Sequence, residues 1–355
     1  AEDILFRYLW RRGALICLHS DPALAEGRGH WSCSEHAAWL ERWGAACRVF
    51  GSAPERRPRL HFFAGYDLHS QLRELRDLLA RNEAGRPEDG DAGADAVVLP
   101  HPALLMPTLH HLPRKDVNIS LGYPLDRSLL ARLADTVFRV RESRRPDGRT
   151  HWRPLLDLIR HPYVRMLRLP PETTDARPDG KPLRPLLRLL EERLRSGGRL
   201  ADPAALTADL LDEVLGDLDG RGSGGPGRTD DEGCDEALGQ GLEHVMNVLV
   251  GSWEKVDTLR GAAAGLAALC DLLLTYGRHI WPRFPLDAEC LFRLMQRVIP
   301  HLADNALADD ALPPDTLFAM IRQSLADERV PFEADPLTGL QVLGMLETRL
   351  LRFDR

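Results

Sequence analysis

The sequence predicts an α/β fold in which a parallel sheet is joined to a large all-α block. Strand and helix patterns alternate from about residue 60 to residue 140, and helical periods alone fill residues 152 to about 326. A short apolar strand pattern then returns at residues 339–345. Because parallel strands are connected through helices, this order indicates a three-layer sheet interrupted by a helical insertion.

The spacing of apolar residues predicts each element in order. Before the alternating region it predicts helices at residues 3–12 and 34–44 and a strand at residues 14–18. The alternating region has predicted strands at residues 60–63, 96–99 and 117–121, and helices at 68–81, 102–111 and 127–140. In the helical block, helices are predicted at residues 183–194, 203–218, 235–249, 259–276 and 288–303.

The composition and charge of the chain argue against several classes of protein. The chain has 355 residues, 44% of them hydrophobic, and a formal net charge of -7, which argues against a uniformly basic DNA-binding surface. No apolar run approaches the roughly 18 residues of a membrane span, and charged residues interrupt the apolar residues near residue 5, so no secretory signal is predicted. The six cysteines are widely spaced, which favours reduced thiols and a cytoplasmic protein.

Two segments resemble catalytic motifs without meeting their requirements. Residues 219–233 are rich in glycine, but no strand precedes them and no Gly-Lys-Ser/Thr closes them, so we predict a mobile loop and not a phosphate-binding loop. No Walker A sequence occurs anywhere in the chain, and we assign it no ATP hydrolysis. The segment Pro178-Asp179-Gly180-Lys181 contains the Asp-x-Lys of some nuclease sites, but Pro-Asp-Gly is typical of a turn.

A zinc site is weighed at Cys33, His36 and Cys47, since thiolate and imidazole ligands suit zinc. Cys47 lacks a close partner, and the alternative is that both cysteines pack as small apolar groups. We predict no metal and no cofactor. His110 and His111 end a predicted helix, where positive character is favourable.

Arginines are concentrated between residues 132 and 153, on and after one predicted helix. Such charges usually lie on a solvated helix face. Beside a sheet edge they would instead supply salt-sensitive contacts to DNA phosphates. Both readings stay open for this set: Arg132, Arg139, Arg141, Arg144, Arg145, Arg149 and Arg153.

Three segments carry a resemblance to a known family. Residues 330–354, VPFEADPLTGLQVLGMLETRLLRFD, resemble motif V of superfamily 1 helicase-like proteins in the form seen in AddB-like PD-(D/E)XK nuclease family proteins. Residues 96–113 with 117–130 look like the segment that opens the second RecA-like domain of that family. Residues 152–164, WRPLLDLIRHPYV, are similar to the helical stretch that follows it.

The resemblance implies a domain order. Residues 1–54 would be the tail of a first RecA-like (P-loop NTPase-like) domain with a linker, and residues 55–150 the first part of a second RecA-like domain. Residues 151–335 would be a helical insertion like helicase domain 2B, and residues 336–355 a return to the second RecA-like domain. The chain stops on Phe353-Asp354-Arg355 without a turn or cap, so we expect a fragment whose nuclease domain lies beyond Arg355.

The resemblance also supplies candidate site residues. Helicases of this superfamily usually have Lys-Gly-Leu-Glu where this chain has Arg349-Leu350-Leu351-Arg352, so Leu350 replaces the glycine and nucleotide contact is doubtful. The ends of parallel strands meet at one edge. We therefore predict that Gly122, Tyr123, Thr348 and Arg349 share an edge and contact DNA phosphates. The alternative is that Glu347 and Arg349 only pair with neighbouring residues of the sheet.

Two functions follow. The first is a helicase-like portion, inactive as an enzyme by itself, of a DNA-end-processing protein that guides single-stranded DNA beside a helicase or nuclease partner subunit. The second is a scaffold that docks the partner and binds no nucleic acid. Exposed aromatic residues near the sheet edge, with Tyr123 and Phe62 as candidates, would favour DNA. An exposed apolar face on the helical block would favour the scaffold.

Overall fold

A computed structural model describes residues 2–17, 38, 41–42, 60–84, 95–113, 117–170, 180–220, 229–332 and 339–348. The strands are β1 (Ala96–Leu99), β2 (Val117–Ile119), β3 (Tyr123–Pro124), β4 (Thr150–His151), β5 (Leu200–Ala201), β6 (Arg329–Val330) and β7 (Leu340–Gly344). The helices are α1 (Glu2–Arg11), α2 (Leu68–Ala84), α3 (Leu105–His111), α4 (Leu129–Glu142), α5 (Trp152–Ile159), α6 (Pro162–Met166), α7 (Arg184–Ser196), α8 (Pro203–Gly220), α9 (Thr229–Leu249), α10 (Leu259–Tyr276), α11 (Pro285–Arg293), α12 (Ile299–Ala303) and α13 (Pro314–Asp327).

The chain forms two compact units. The first, called here the sheet unit, comprises Ala1–Ser120 and Ala334–Arg355, and the second, the helical unit, comprises Leu121–Glu333. In this division the helical unit begins at Leu121, and the domain boundaries implied by the family resemblance stay a prediction. The apolar face of α4 is buried among other helices of the helical unit.

The sheet unit is built on a small parallel sheet of three strands in the order β1-β7-β2. The central strand β7 pairs with β1 from Ala96↔Gln341 to Leu99↔Gly344, and with β2 from Val117↔Leu340 to Ile119↔Val342. Flanked on both sides, β7 is nearly all apolar and buried, as expected for a strand covered on both faces. The strands predicted at residues 96–99, 117–121 and 339–345 are confirmed as β1, β2 and β7. Together they form the parallel sheet of a mixed α/β fold.

Gly339 allows β7 to begin where it does. Its φ of 69° lies in the left-handed region, which a residue with a Cβ adopts only at a cost. The backbone turns at Gly339 and enters the sheet at Leu340, which is fully buried. The apolar run Leu340, Val342, Leu343 then fills the interior on both sides of the strand.

Two strands predicted for the first part of the chain are wrong where the structure describes them. Residues 14–17 and residues 60–63 have no regular secondary structure. Among the described residues neither segment pairs with a strand, and a strand without a partner leaves its peptide groups to water. The helices predicted at 3–12 and 68–81 are confirmed as α1 and α2. Asp67 and Ser70 cap α2 reciprocally, with Ser70 N donating to Asp67 Oδ1 at 2.8 Å, and these bonds lower the pKa of Asp67.

The helical unit has an aromatic core. Phe138 of α4 stacks on Phe318 of α13 with centroids 4.7 Å apart and meets Trp253 edge-on at 5.4 Å. Arg322 lies over the Phe138 ring at 5.7 Å and donates to Asp135 at 2.8 Å and to Glu142 at 3.0 Å. The stacked rings of Phe138 and Phe318, together with the guanidinium group of Arg322, thus hold α4 against α13.

The position of the Trp253 ring also depends on a glycine in α10. The indole lies so close to the backbone of α10 that a Cβ on Gly265 would come within 2.8 Å of Trp253 Cζ2. Thr258 caps α10, its Oγ1 accepting from Gly261 N at 3.0 Å. The helix bounds Leu259–Tyr276 match the predicted range, because an N-cap threonine and the following Gly277 mark both ends.

The remaining helices confirm that the described residues between 152 and 326 are mostly helical, with two differences in detail. The described ends of the predicted loop 219–233 are helical, since α8 runs to Gly220 and α9 begins at Thr229; residues 221–228 lie outside the described residues. The helix predicted at 288–303 is divided into α11, a π-turn at Leu294–Val298 and α12. Pro300 has no N–H for the regular ladder, which explains the wider turn before it. Short antiparallel pairs β4–β5 and β3–β6 complete the unit.

Candidate nucleic-acid interface

The carboxyl ends of the three parallel strands lie at one edge of the sheet. After β1 the chain continues into His101, whose Nδ1 accepts from Ala103 N at 3.1 Å. After β2 it continues into Ser120, whose N–H donates to Val342 O at 3.0 Å. After β7 it continues into Met345. This edge is therefore the place where the motif V-like segment leaves the sheet.

The turn after β7 is exposed and internally bonded. Met345 and Leu346 are 61% and 65% exposed. Thr348 Oγ1 donates to Met345 O at 2.8 Å, so its proton is engaged while its lone pairs remain free to accept. A phosphate contact by Thr348 would require the hydroxyl to turn away from Met345. Arg349 lies outside the described residues.

Gly122 and Tyr123 belong to the helical unit and not to the sheet unit. Tyr123 pairs with Val330 in the antiparallel β3–β6 pair, and a Cβ on Gly122 would lie 2.7 Å from Arg329 Cβ. The Tyr123 ring is buried, and burial raises the pKa of its phenol. Tyr123 therefore offers no face to a DNA base, and the shared edge of Gly122, Tyr123, Thr348 and Arg349 stays a prediction.

Exposed aromatic residues occur at another place in the sheet unit. Phe62 is 92% exposed, and Phe63 and Tyr66 are exposed beside it in the segment that precedes α2. Of the two aromatic candidates from the sequence, Phe62 thus has a free face and Tyr123 does not. Exposed rings of this kind are the side chains on which bases stack.

Sequence reasoning missed a polar pair inside the sheet. Asn118 Nδ2 of β2 donates to Gln341 Oε1 of β7 at 2.6 Å, and Asn118 Oδ1 is buried without a hydrogen bond in the described structure. The signal was present, since both residues interrupt short apolar strands. Only the register Asn118↔Gln341 reveals that the two amides meet.

Most of the arginines between residues 132 and 153 have structural partners. Arg141 Nε donates to Trp253 O at 2.9 Å, and Arg144 Nη1 donates to Glu254 Oε1 at 2.7 Å. Arg139 pairs with Asp135, and Arg149 with Asp147. The contacts of Arg141 and Arg144 hold the end of α4 to the turn at Trp253, and all four arginines use donors that a DNA contact would need.

The segment that resembles a nuclease motif is described only in part, since Pro178 and Asp179 lie outside the described residues. Lys181 O accepts from Leu169 N at 2.8 Å, and Arg168 and Pro182 form an isolated antiparallel bridge, so this lysine does not lie on a parallel strand. No group of three His, Cys, Asp or Glu residues that could hold a metal ion occurs among the described residues. Cys33, His36 and Cys47 lie outside them.

The histidines at the end of α3 have a local role. His111 Nδ1 lies 2.9 Å from Pro107 O, within the last turn of the helix. Its Nε2 lies 3.2 Å from His69 Nδ1 of α2, and the two rings meet edge-on. Because Nδ1 of His111 donates to a carbonyl, Nε2 is the acceptor, and this pair fastens α2 to α3.

One described helix, α10, is long and apolar enough to cross a membrane by length and composition. Half of the apolar window is buried inside the helical unit, where Leu259, Leu266, Leu269 and Leu273 belong to the core. Packing in that core accounts for its apolar composition.

Comparisons with known proteins give no relative. No protein-family model, no curated protein and no solved structure matches the chain. The class that fold and geometry define is thus a mixed α/β protein with a three-stranded parallel sheet and a large helical unit, and any closer assignment rests on the residues themselves.

Proposed function

We propose that this chain is a helicase-like portion of an AddB-like protein that guides single-stranded DNA during DNA-end processing in recombinational repair. It would comprise a second RecA-like domain and a helical insertion. One observation carries the proposal. The three strands of the parallel sheet come from the segments whose sequences resemble that family, and the motif V-like strand β7 lies between the other two.

The chemistry proposed for the chain is binding and not catalysis. No Walker A sequence is present, and Leu350 stands where the family has glycine. The charged donor proposed at the end of β7 is Arg349, which directly follows the turn Met345–Thr348 in the sequence. Exposed Phe62, Phe63 and Tyr66 would add stacking to the bases. A helicase or nuclease partner subunit would supply the motor.

The test is a salt titration of single-stranded DNA binding. Labelled oligothymidine is titrated with wild-type protein and Arg349→Ala, and fluorescence anisotropy is read at several salt concentrations. Arg349→Ala should lower affinity and reduce the slope of log affinity against log salt by about 0.7, the contribution of one phosphate on a single strand. Unchanged affinity and slope in a folded variant would overturn the role of Arg349.

A scaffold without DNA binding is the second candidate, and one observation favours it. Phe284 and Phe292, before and within α11, are 43% and 54% exposed, so the helical unit has apolar rings at its surface. If wild-type protein shows no binding to single-stranded DNA while Phe292→Asp prevents co-purification with a helicase–nuclease partner subunit, the scaffold replaces the DNA guide.

A further inference from the structure

Three arginines of the helical unit converge on a single buried carboxylate. Glu191 of α7 is 9% exposed. Arg160, directly after α5, donates to Glu191 Oε1 through Nε at 2.9 Å and Nη2 at 2.6 Å. Arg165 of α6 donates to Glu191 Oε2. Arg195, one turn further along α7, places Nη2 3.6 Å from Oε1. We call these four residues the Arg–Glu cluster.

The charges in the Arg–Glu cluster do not balance. One arginine is enough to neutralise a buried carboxylate, and Arg160 already supplies that charge through two N–H groups on Oε1. Arg165 and Arg195 add two positive charges, and in the described structure none of the three arginines pairs with another carboxylate. Their side chains are 39%, 23% and 54% exposed, so the excess charge faces solvent.

Other ion pairs of the helical unit show the contrast. Arg260 and Asp309 form a bidentate pair of one charge each, at 2.6 and 3.0 Å. Arg144 and Glu254 are matched one to one as well. Where several groups meet, as Arg139 and Arg322 do with Asp135 and Glu142, two arginines face two carboxylates and the charges balance. A purely structural tie between α5, α6 and α7 would need no more than such a balanced set. Three like charges held together repel one another, and an anion bound from outside removes that repulsion.

We propose that the Arg–Glu cluster is an anion site that takes a phosphodiester of single-stranded DNA. The proposal rests on the proposed function and extends the DNA contact to the helical unit. Glu191 fixes the orientation of the guanidinium groups, while N–H donors of Arg165 and Arg195 that Glu191 does not use remain available. Planar guanidinium forks match the geometry of phosphate oxygens.

The test removes the most exposed arginine and leaves the Arg160–Glu191 pair intact. Arg195→Gln should weaken oligothymidine binding about 3- to 10-fold and reduce the slope of log affinity against log salt by about 0.7. Arg195→Lys keeps the charge and should keep most of the slope. Arg260→Gln removes the same charge from a one-to-one pair and should leave both affinity and slope unchanged. Circular dichroism and urea unfolding establish that each variant is folded.

The possible outcomes distinguish a failure of the anion site from a failure of the proposed function. If wild-type protein binds oligothymidine and Arg195→Gln behaves like Arg260→Gln, the site is wrong while the DNA guide stands. If wild-type protein does not bind oligothymidine, the DNA guide fails and so does the DNA ligand assigned here. Inorganic phosphate then forms a second arm: stabilisation of wild type but not of Arg195→Gln would reassign the cluster to free phosphate and overturn the DNA ligand.

Discussion

The two units are stabilised internally by different kinds of interaction. The sheet unit is organised by backbone pairing of three short strands, and both outer strands, β1 and β2, have one edge without a partner among the described residues. The helical unit is organised by side-chain packing. Its aromatic rings form a core, Gly265 leaves room for the Trp253 indole, and arginines such as Arg322 join its helices. Side-chain substitutions should therefore affect the helical unit much more than the sheet unit.

The largest effect is expected at Phe138. Phe138→Ala removes a fully buried ring that contacts both Trp253 and Phe318, and large-to-small changes of this kind cost about 3–5 kcal/mol. The free energy of unfolding, measured by urea denaturation, should fall by that amount for the helical unit. Phe62→Ala is the matched control, because that ring is 92% exposed, and it should change stability by less than about 0.5 kcal/mol. Equal effects of the two variants would refute the aromatic core that the structure assigns to the helical unit.

A smaller effect is expected at Gly265. In Gly265→Ala the new methyl group would come within 2.8 Å of the Trp253 ring, and overpacking of a core costs about 1–3 kcal/mol. Gly239→Ala in α9 is the control. There the methyl group would meet only a methyl carbon of Leu211 at 3.3 Å, and alanine favours a helix over glycine by up to about 1 kcal/mol. A stabilised Gly265→Ala variant would show that the indole does not lie against α10.

The smallest effect is a pH dependence at Asp287. Burial raises the pKa of this carboxyl group, and the facing hydroxyl of Tyr163 offsets part of the rise. A carboxyl group with a raised pKa in the folded state stabilises the protein less once the pH rises through that pKa, because the charged form is then partly buried. Asp287→Asn should therefore be more stable than wild type at neutral pH, and the gain should vanish in acid below the unfolded pKa.

The measurement is the difference in free energy of unfolding between Asp287→Asn and wild type across that pH range. Asp309→Asn gives the opposite sign, since Arg260 lowers the pKa of Asp309 and the charged form is the stabilised one. If both variants lose stability at neutral pH, Tyr163 and not burial dominates the environment of Asp287.

The sequence by itself determined the α/β class, the parallel strands and most of the helices. Strands with buried apolar runs, such as residues 340–343, and helices with a clear cap, such as α10 after Thr258, are specified by local spacing and local hydrogen bonds. These signals depend only on residues that are close together in the sequence. The same spacing wrongly predicted strands at residues 14–17 and 60–63, because a strand forms only where another strand accepts its hydrogen bonds.

Only the tertiary structure decided which side chains meet. Tyr123 follows a parallel strand in the sequence, yet it pairs with β6 and is buried in the helical unit. Helical spacing brings Arg195 next to Glu191, but Arg160 and Arg165 are far from it along the chain, and no periodicity shows that they join the same carboxylate. Spacing fixes which face of an element is apolar. The partner of that face, and hence the location of uncompensated charge, depends on long-range packing that single-sequence patterns do not contain.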